Sequence, residues 1–164
     1  NSTSGHIIMY GQATINWGSK KQNCVALSSM ESELVALSEA TKDMVYSRKL
    51  IGGFDETEID GASSLFTDNK AARDTAYNPE RHDKTKHIER RHFFVRDMVE
   101  KFEIVVPYVN THDNIADFLT KALDKVKFQK FRAIIMNETP VARAQAHLAR
   151  AVTHASLPGP SPGP

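Results

Sequence analysis

The chain has 164 residues, 40% hydrophobic and 25% charged, with a formal charge of +1. This describes one ordinary globular domain with enough length for a full core, and a near-zero balance that says little about charged partners. Cys24 is the single cysteine, which excludes an internal disulfide framework and a Cys-rich zinc site and suits a reducing, intracellular compartment, cytoplasmic or nuclear. No apolar run approaches the ~18 residues a membrane span needs, so no membrane partner is expected.

Taken in order, His6-Ile7-Ile8-Met9-Tyr10 is a short β-prone run, Gly11-Gln12 a turn, and Ala13-Thr14-Ile15-Asn16-Trp17 an alternating strand. Residues 18–23 form a polar, basic loop, and Cys24-Val25-Ala26-Leu27 reads as a third strand. Ser28 or Ser29 then caps a helix, with Glu31 three residues after Ser28 as in a capping box. Leu34, Leu37, Ala40, Met44, Val45 and Ile51 fall on one arc at ~100° per residue, with Ser38, Lys42 and Lys49 on the wetted side. This helix is expected to stop at Gly52-Gly53. Residues 54–61 are acidic and loop-like, and residues 62–67 form a buried-type strand ending in Asp68-Asn69. A helix from Lys70 to about Tyr77 ends at Asn78-Pro79.

A long basic helix lies within residues 81–101, with seven Lys or Arg (81, 84, 86, 90, 91, 96, 101) against four acids. His82, His87 and His92 recur there every five residues and share no helical face, so they do not form a zinc site. Residues 103–109 are a strand, with Pro107 at its end or edge. Thr111 or Asp113 caps a short helix over residues 114–122, and residues 124–136 form another. Trp17 and the phenylalanines read as core. Residues 137–164 form a low-complexity tail, Ala-, Arg- and His-rich and then Pro- and Gly-rich, expected to be disordered. The order of elements gives a mixed α/β layer fold over residues 1–136.

Three acids stand out by position. Glu33 lies within the apolar arc of the first helix, where a carboxylate is costly unless compensated. Asp68 closes the central strand, where ligands gather in α/β sheets. Asp117 sits in the first turn of a short helix whose core face is Ile115, Leu119 and Ala122, and is expected to project off that face. Carboxylates from separate elements suit Mg²⁺, and two such ions ~3.5–4 Å apart activate a water and stabilise the leaving oxygen of a phosphodiester.

Ser2-Thr3-Ser4-Gly5, Ile15-Asn16-Trp17-Gly18-Ser19-Lys20-Lys21-Gln22 and the run from Val25 to Glu33 resemble the ribonuclease H domain of Ty1/copia-type retrotransposon Pol polyproteins. So do Thr67-Asp68-Asn69, Lys84-Thr85-Lys86-His87-Ile88-Glu89 and Ile115-Ala116-Asp117-Phe118-Leu119-Thr120-Lys121, all collinear over residues 2–136. The resemblance implies an RNase H-like mixed sheet flanked by helices, and an endoribonuclease that hydrolyses the RNA strand of RNA/DNA hybrids during reverse transcription. It matches Glu33, Asp68 and Asp117 to three of four acids that hold two Mg²⁺ ions, or Mn²⁺. The basic segment reads either as a solvated helix face or as a phosphate-tracking surface, on which Asn69, Lys84, Lys86, His87, Arg90 and Arg91 would contact nucleic acid. His112 reads either as an aid to product release or proton transfer or as a loop residue, and Asp113, one helical turn before Asp117, as another source of a fourth ligand. The upstream reverse transcriptase domain would be a partner.

The family's first acid lies on a strand before the Ser-Thr-Ser-Gly turn, at which this chain begins without an initiator Met. The expectation is therefore a piece cut from something longer that lacks the first strand and its Asp, and that cleaves very slowly or not at all by itself. Phe93 stands where many members have His. The rival reading is a non-catalytic module, truncated or domesticated, that binds nucleic acid or a protein. A DNA-cutting integrase-type enzyme fits the motif spacing less well.

Overall fold

The computed structural model of the chain describes residues 2–23, 28–55, 59, 61–78 and 86–138, with only the backbone of residues 86–89 and 92. The expected third strand at residues 24–27 and the tail beyond residue 138 lie outside the described residues. The elements run β1 (Thr3–Tyr10), β2 (Ala13–Lys21), α1 (Ser29–Asp55), β3 (Ser63–Ser64), α2 (Lys70–Tyr77), α3 (Lys86–Glu100), β4 (Ile104–Val105), a 3-10 turn (Ile115–Leu119) and α4 (Lys125–Ile135). This is the expected mixed α/β layer fold, with its antiparallel and parallel pairings in two small sheets, β1-β2 and β3-β4. Among the described residues no helix is long and apolar enough to cross a membrane.

β1 and β2 pair antiparallel from Thr3↔Lys21 to Tyr10↔Ala13, with a bulge beside Ile8/Met9. Gly11, with φ +63, supplies the left-handed residue that a two-residue hairpin turn requires. One face of β1 packs on α1, where Ile8 is buried. The other approaches the 3-10 turn so closely that a Cβ on Gly5 would fall 2.5 Å from Thr120 Cγ2. Gln22, buried, fastens the end of the hairpin to the start of α1: its amide nitrogen donates to Ser4 Oγ and to the Ser32 carbonyl, both at 2.8 Å.

Ser28 caps α1 as expected, its Oγ accepting from the Glu31 N–H at 3.1 Å. α1 packs against β1, α2 and α3, so its buried surface is wider than a single stripe. Ser38, expected on the wetted side, is fully buried with Thr41. Thr41 satisfies its hydroxyl on the Leu37 carbonyl at 2.8 Å. Gly52-Gly53 does not end α1, which continues to Asp55; a helical glycine costs only about 1 kcal/mol, and the preceding six turns propagate through it.

β3 and β4 run parallel through Ser63↔Ile104 and Ser64↔Val105, and the pairing resumes at a bridge between Thr67 and Tyr108. Pro107 interrupts the ladder because it has no N–H, while its carbonyl accepts from the Thr67 N–H at 3.1 Å. Parallel strands need a crossover, supplied here by α2 and α3. Leu37, Ala40, Leu65, Ala76, Val95, Ile104 and Val106 from these elements form the main core. Phe131 and Ile134 of α4 form a second one, with Met9, Ile115, Phe118 and Leu123 packed around them.

The expectation that the large aromatics are core fails for several. Trp17 is 65% exposed, and Phe54, Phe66, Phe93, Phe102 and Phe128 are also exposed. Trp17 is a residue of β2 placed on the side of the strand that no described element covers. Strand alternation alone does not say which face will be covered.

Candidate active site

Each of the three acids is placed by a local feature of sequence. Glu33 sits in the second turn of α1, next to Ser32, whose carbonyl Gln22 grips. Asp68 follows the last parallel bridge of β3, where Asn69 turns the chain into α2 by capping it, Oδ1 accepting from the Ala72 N–H at 3.0 Å. Asp117 lies in the 3-10 turn, which Asn114 caps by accepting from the Ala116 N–H at 3.1 Å. The cap is therefore Asn114, not Thr111 or Asp113. Asp117 is only 6% exposed, with Lys121 and Lys127 both reaching its carboxylate.

Two of the carboxylates act on the third. Burial pushes the Glu33 carboxyl above its usual value, and the Asp68 and Asp117 charges push it further in the same direction, while Lys121 opposes them. Asp117 carries two ammonium partners on one oxygen: Lys121 Nζ and Lys127 Nζ both stand 2.9 Å from its Oδ2. These lysines were not singled out from the sequence. Lys121, four residues after Asp117, could have been found from helical spacing, whereas Lys127 reaches the site from α4 and leaves no local signal.

The remaining candidates are placed as follows. Asp113 is exposed and pairs with Lys130 of α4 at 2.8 Å; the hydrogen bond and charge of that lysine hold its carboxyl below the ordinary range. His112 is exposed, its backbone N–H donating to Asn110 Oδ1 at 3.0 Å. Arg90 is exposed on α3, and Arg91 is partly buried beside it. Lys84 lies outside the described residues, as do the side chains of Lys86 and His87.

Among the described residues, no three His, Cys, Asp or Glu side chains stand at the spacing that grips a metal ion as they are. The donor set nevertheless fits a hard divalent cation in kind. Asp68 and Asp117 reach Glu33 electrostatically from two other elements, and the burial and repulsion that raise Glu33 are what such a cation would relieve.

The shift on Glu33 has a consequence for stability. A carboxyl whose folded value lies above its unfolded value binds more protons in the native state, so stability falls as pH rises from about 4.5 through the folded value. Glu33→Gln removes that loss. In a chelating buffer, the variant should therefore unfold at higher denaturant concentration than the parent at pH 7, with the difference closing near pH 4. A difference that persisted unchanged to pH 4 would place the cause elsewhere than in the charge.

No family model matches the chain, and no solved structure matches it. Curated relatives do, among them three Pol polyproteins. The "Retrovirus-related Pol polyprotein from transposon TNT 1-94" of Nicotiana tabacum is 32% identical over 136 residues, covering 82% of this chain and 10% of that protein. The polyprotein "from transposon RE2" of Arabidopsis thaliana is 34% identical over 130 residues, 79% of this chain and 9% of its own length. That "from transposon RE1" of the same plant is 34% identical over 134 residues, 82% of this chain and 9% of its own. The chain spans about a tenth of the length of these relatives. With four fifths of its length aligned to them and a mixed α/β fold, the chain belongs to the retrovirus-related Pol polyproteins of Ty1/copia-type transposons.

Proposed function

We propose that this chain is the ribonuclease H segment of such a polyprotein, hydrolysing the RNA strand of RNA/DNA hybrids with Glu33, Asp68 and Asp117 holding two Mg²⁺ ions. The observation that carries it is the raised carboxyl of Glu33, which Asp68 and Asp117 disturb from two other elements. A half-buried acid raised by burial and by two neighbouring carboxylates is a liability to stability in a fold this small, and such arrangements concentrate where chemistry needs them. When bound, the ion pair supplies an activated water and steadies the leaving oxygen.

The residues of the chain do the rest. Asp68 is fixed by the end of the parallel ladder and by the cap that follows it, so its carboxylate is presented without loop motion. Asn69 spends its Oδ1 on α2, so its amide nitrogen is the group left to donate to a phosphate or ribose oxygen. Arg90, exposed on α3, supplies positive charge for the backbone of a duplex.

The test is single-turnover cleavage of a hybrid labelled separately on each strand, with chain in excess and Mg²⁺ or Mn²⁺ present. RNA-strand cutting that needs the divalent ion and leaves the DNA strand intact is the expected result. Cutting that proceeds equally in chelator, or that falls on the DNA strand, would overturn the assignment.

A further inference from the structure

The two lysines at Asp117 are held very differently. Lys121 is about half exposed and reaches Oδ2 on a flexible stem that can swing into water. Lys127 is 19% exposed and anchored at three points: Asp117 Oδ2 at 2.9 Å, the Thr111 carbonyl at 3.1 Å, and the face of Phe131, whose centroid lies 5.2 Å from Nζ. The carbonyl and ring contacts do not depend on Asp117. They hold the ammonium group at the carboxylate whether or not anything else is bound there.

We infer that Lys127 is a built-in counter-cation for Asp117 that a divalent ion must displace, so that the Lys127–Asp117 pair sets the metal affinity of the site. The inference rests on the metal reading proposed above. A carboxylate this buried needs a compensating charge, and Lys127 provides it in the metal-free protein. A divalent ion coordinated by Asp117 would sit within a few ångströms of the same ammonium group, and their repulsion in a partly desolvated site is several times its value in water. Lys121 can retreat into solvent. Lys127 can retreat only by giving up the Thr111 carbonyl and the Phe131 ring, so its displacement opposes every loading event. The same arrangement accounts for acids that reach Glu33 electrostatically without standing at ligand spacing: the Asp117 carboxylate is held by Lys127 of α4.

Lys127→Met keeps the apolar stem and removes the charge. Calorimetric titration with MnCl2 and unfolding midpoints with and without Mn²⁺ should be compared in the parent, Lys127→Met and Asp117→Asn. The expected result is Mn²⁺ binding about tenfold tighter in Lys127→Met, a lower midpoint than the parent in chelator, and a larger rise of that midpoint on adding Mn²⁺. Lys127→Arg, which retains the charge, should bind as weakly as the parent. Lys127→Gln keeps a donor for the Thr111 carbonyl and serves if Lys127→Met does not fold. Binding in the neutral variants as weak as in the parent, or weaker, with Asp117→Asn weaker still, would overturn the counter-cation while leaving the metal site standing. Equal Mn²⁺ binding by the parent and Asp117→Asn would instead remove the metal reading itself, and the inference with it.

Discussion

Phe131→Ala is expected to destabilise the protein by about 3–5 kcal/mol, the range for removing a fully buried aromatic side chain from a core. Phe131 is 0% exposed and is the largest of the fully buried side chains among the described residues. Around it pack Ile134 of its own helix, Met9 of β1, Ile115 and Phe118 of the 3-10 turn, and Leu123. It is therefore the residue through which α4, the hairpin and the turn bearing Asp117 share one core. Its ring also lies under two ammonium groups, with Lys127 Nζ at 5.2 Å and Lys130 Nζ at 5.9 Å. Truncation leaves a cavity and at the same time frees Lys127 from one of its three anchors. Against a typical domain stability of about 5–15 kcal/mol, such a loss takes a large share of the total and should appear as a marked fall in the urea midpoint at unchanged slope. Phe131→Leu should lose much less. A fall of under about 1 kcal/mol for the alanine variant would mean that α4 collapses into the space, and that the second core is not what holds the turn.

Where local chemistry decides, the fold was legible. α2 runs from Lys70 to Tyr77 as read, because Asn69 offers a capping oxygen and Pro79 forbids the α conformation at Asn78. The start of α1 follows from Ser28 for the same reason. Where packing decides, the reading slipped. Nothing near Gly52-Gly53 reveals that α1 continues past them, and nothing near Ser38 reveals that a second surface covers it. The site divides in the same way. Glu33 was visible as an acid on an apolar arc, and Asp68 as a strand-end acid before a cap. Asp117 was visible as an acid in the first turn of a short helix, but its burial was not, because the lysines that close over it come partly from α4. The lysine clamp on Asp117 joins residues ten apart across a turn and a helix start, a separation for which sequence spacing has no rule.

Asp68→Asn should lower the rate of RNA-strand cleavage by about 100-fold or more while leaving the fold intact. The substitution is isosteric, and Asp68 makes no hydrogen bond on which the described structure depends: the turn into α2 is held by the Thr67 hydroxyl, which accepts from the Asn69 N–H at 3.3 Å, and by the Asn69 cap. What disappears is one negative charge at the end of the parallel ladder. With that charge gone, a bound divalent ion would be held by one fewer anionic ligand, and misplacement of reacting groups by ~1 Å is enough to cost ~100-fold. The same change takes away one of the two carboxylates that raise Glu33, so the variant should be at least as stable as the parent in chelating buffer at pH 7. Loss of activity with stability kept or gained is the signature of residues held together against their own repulsion for a chemical purpose. A structural aspartate would show the reverse, a lower midpoint with activity falling only in proportion to the folded fraction. If Asp68→Asn cuts the RNA strand at the parent's rate, the carboxylate at the end of β3 has no part in the chemistry, and the assignment of Glu33 and Asp117 beside it falls as well.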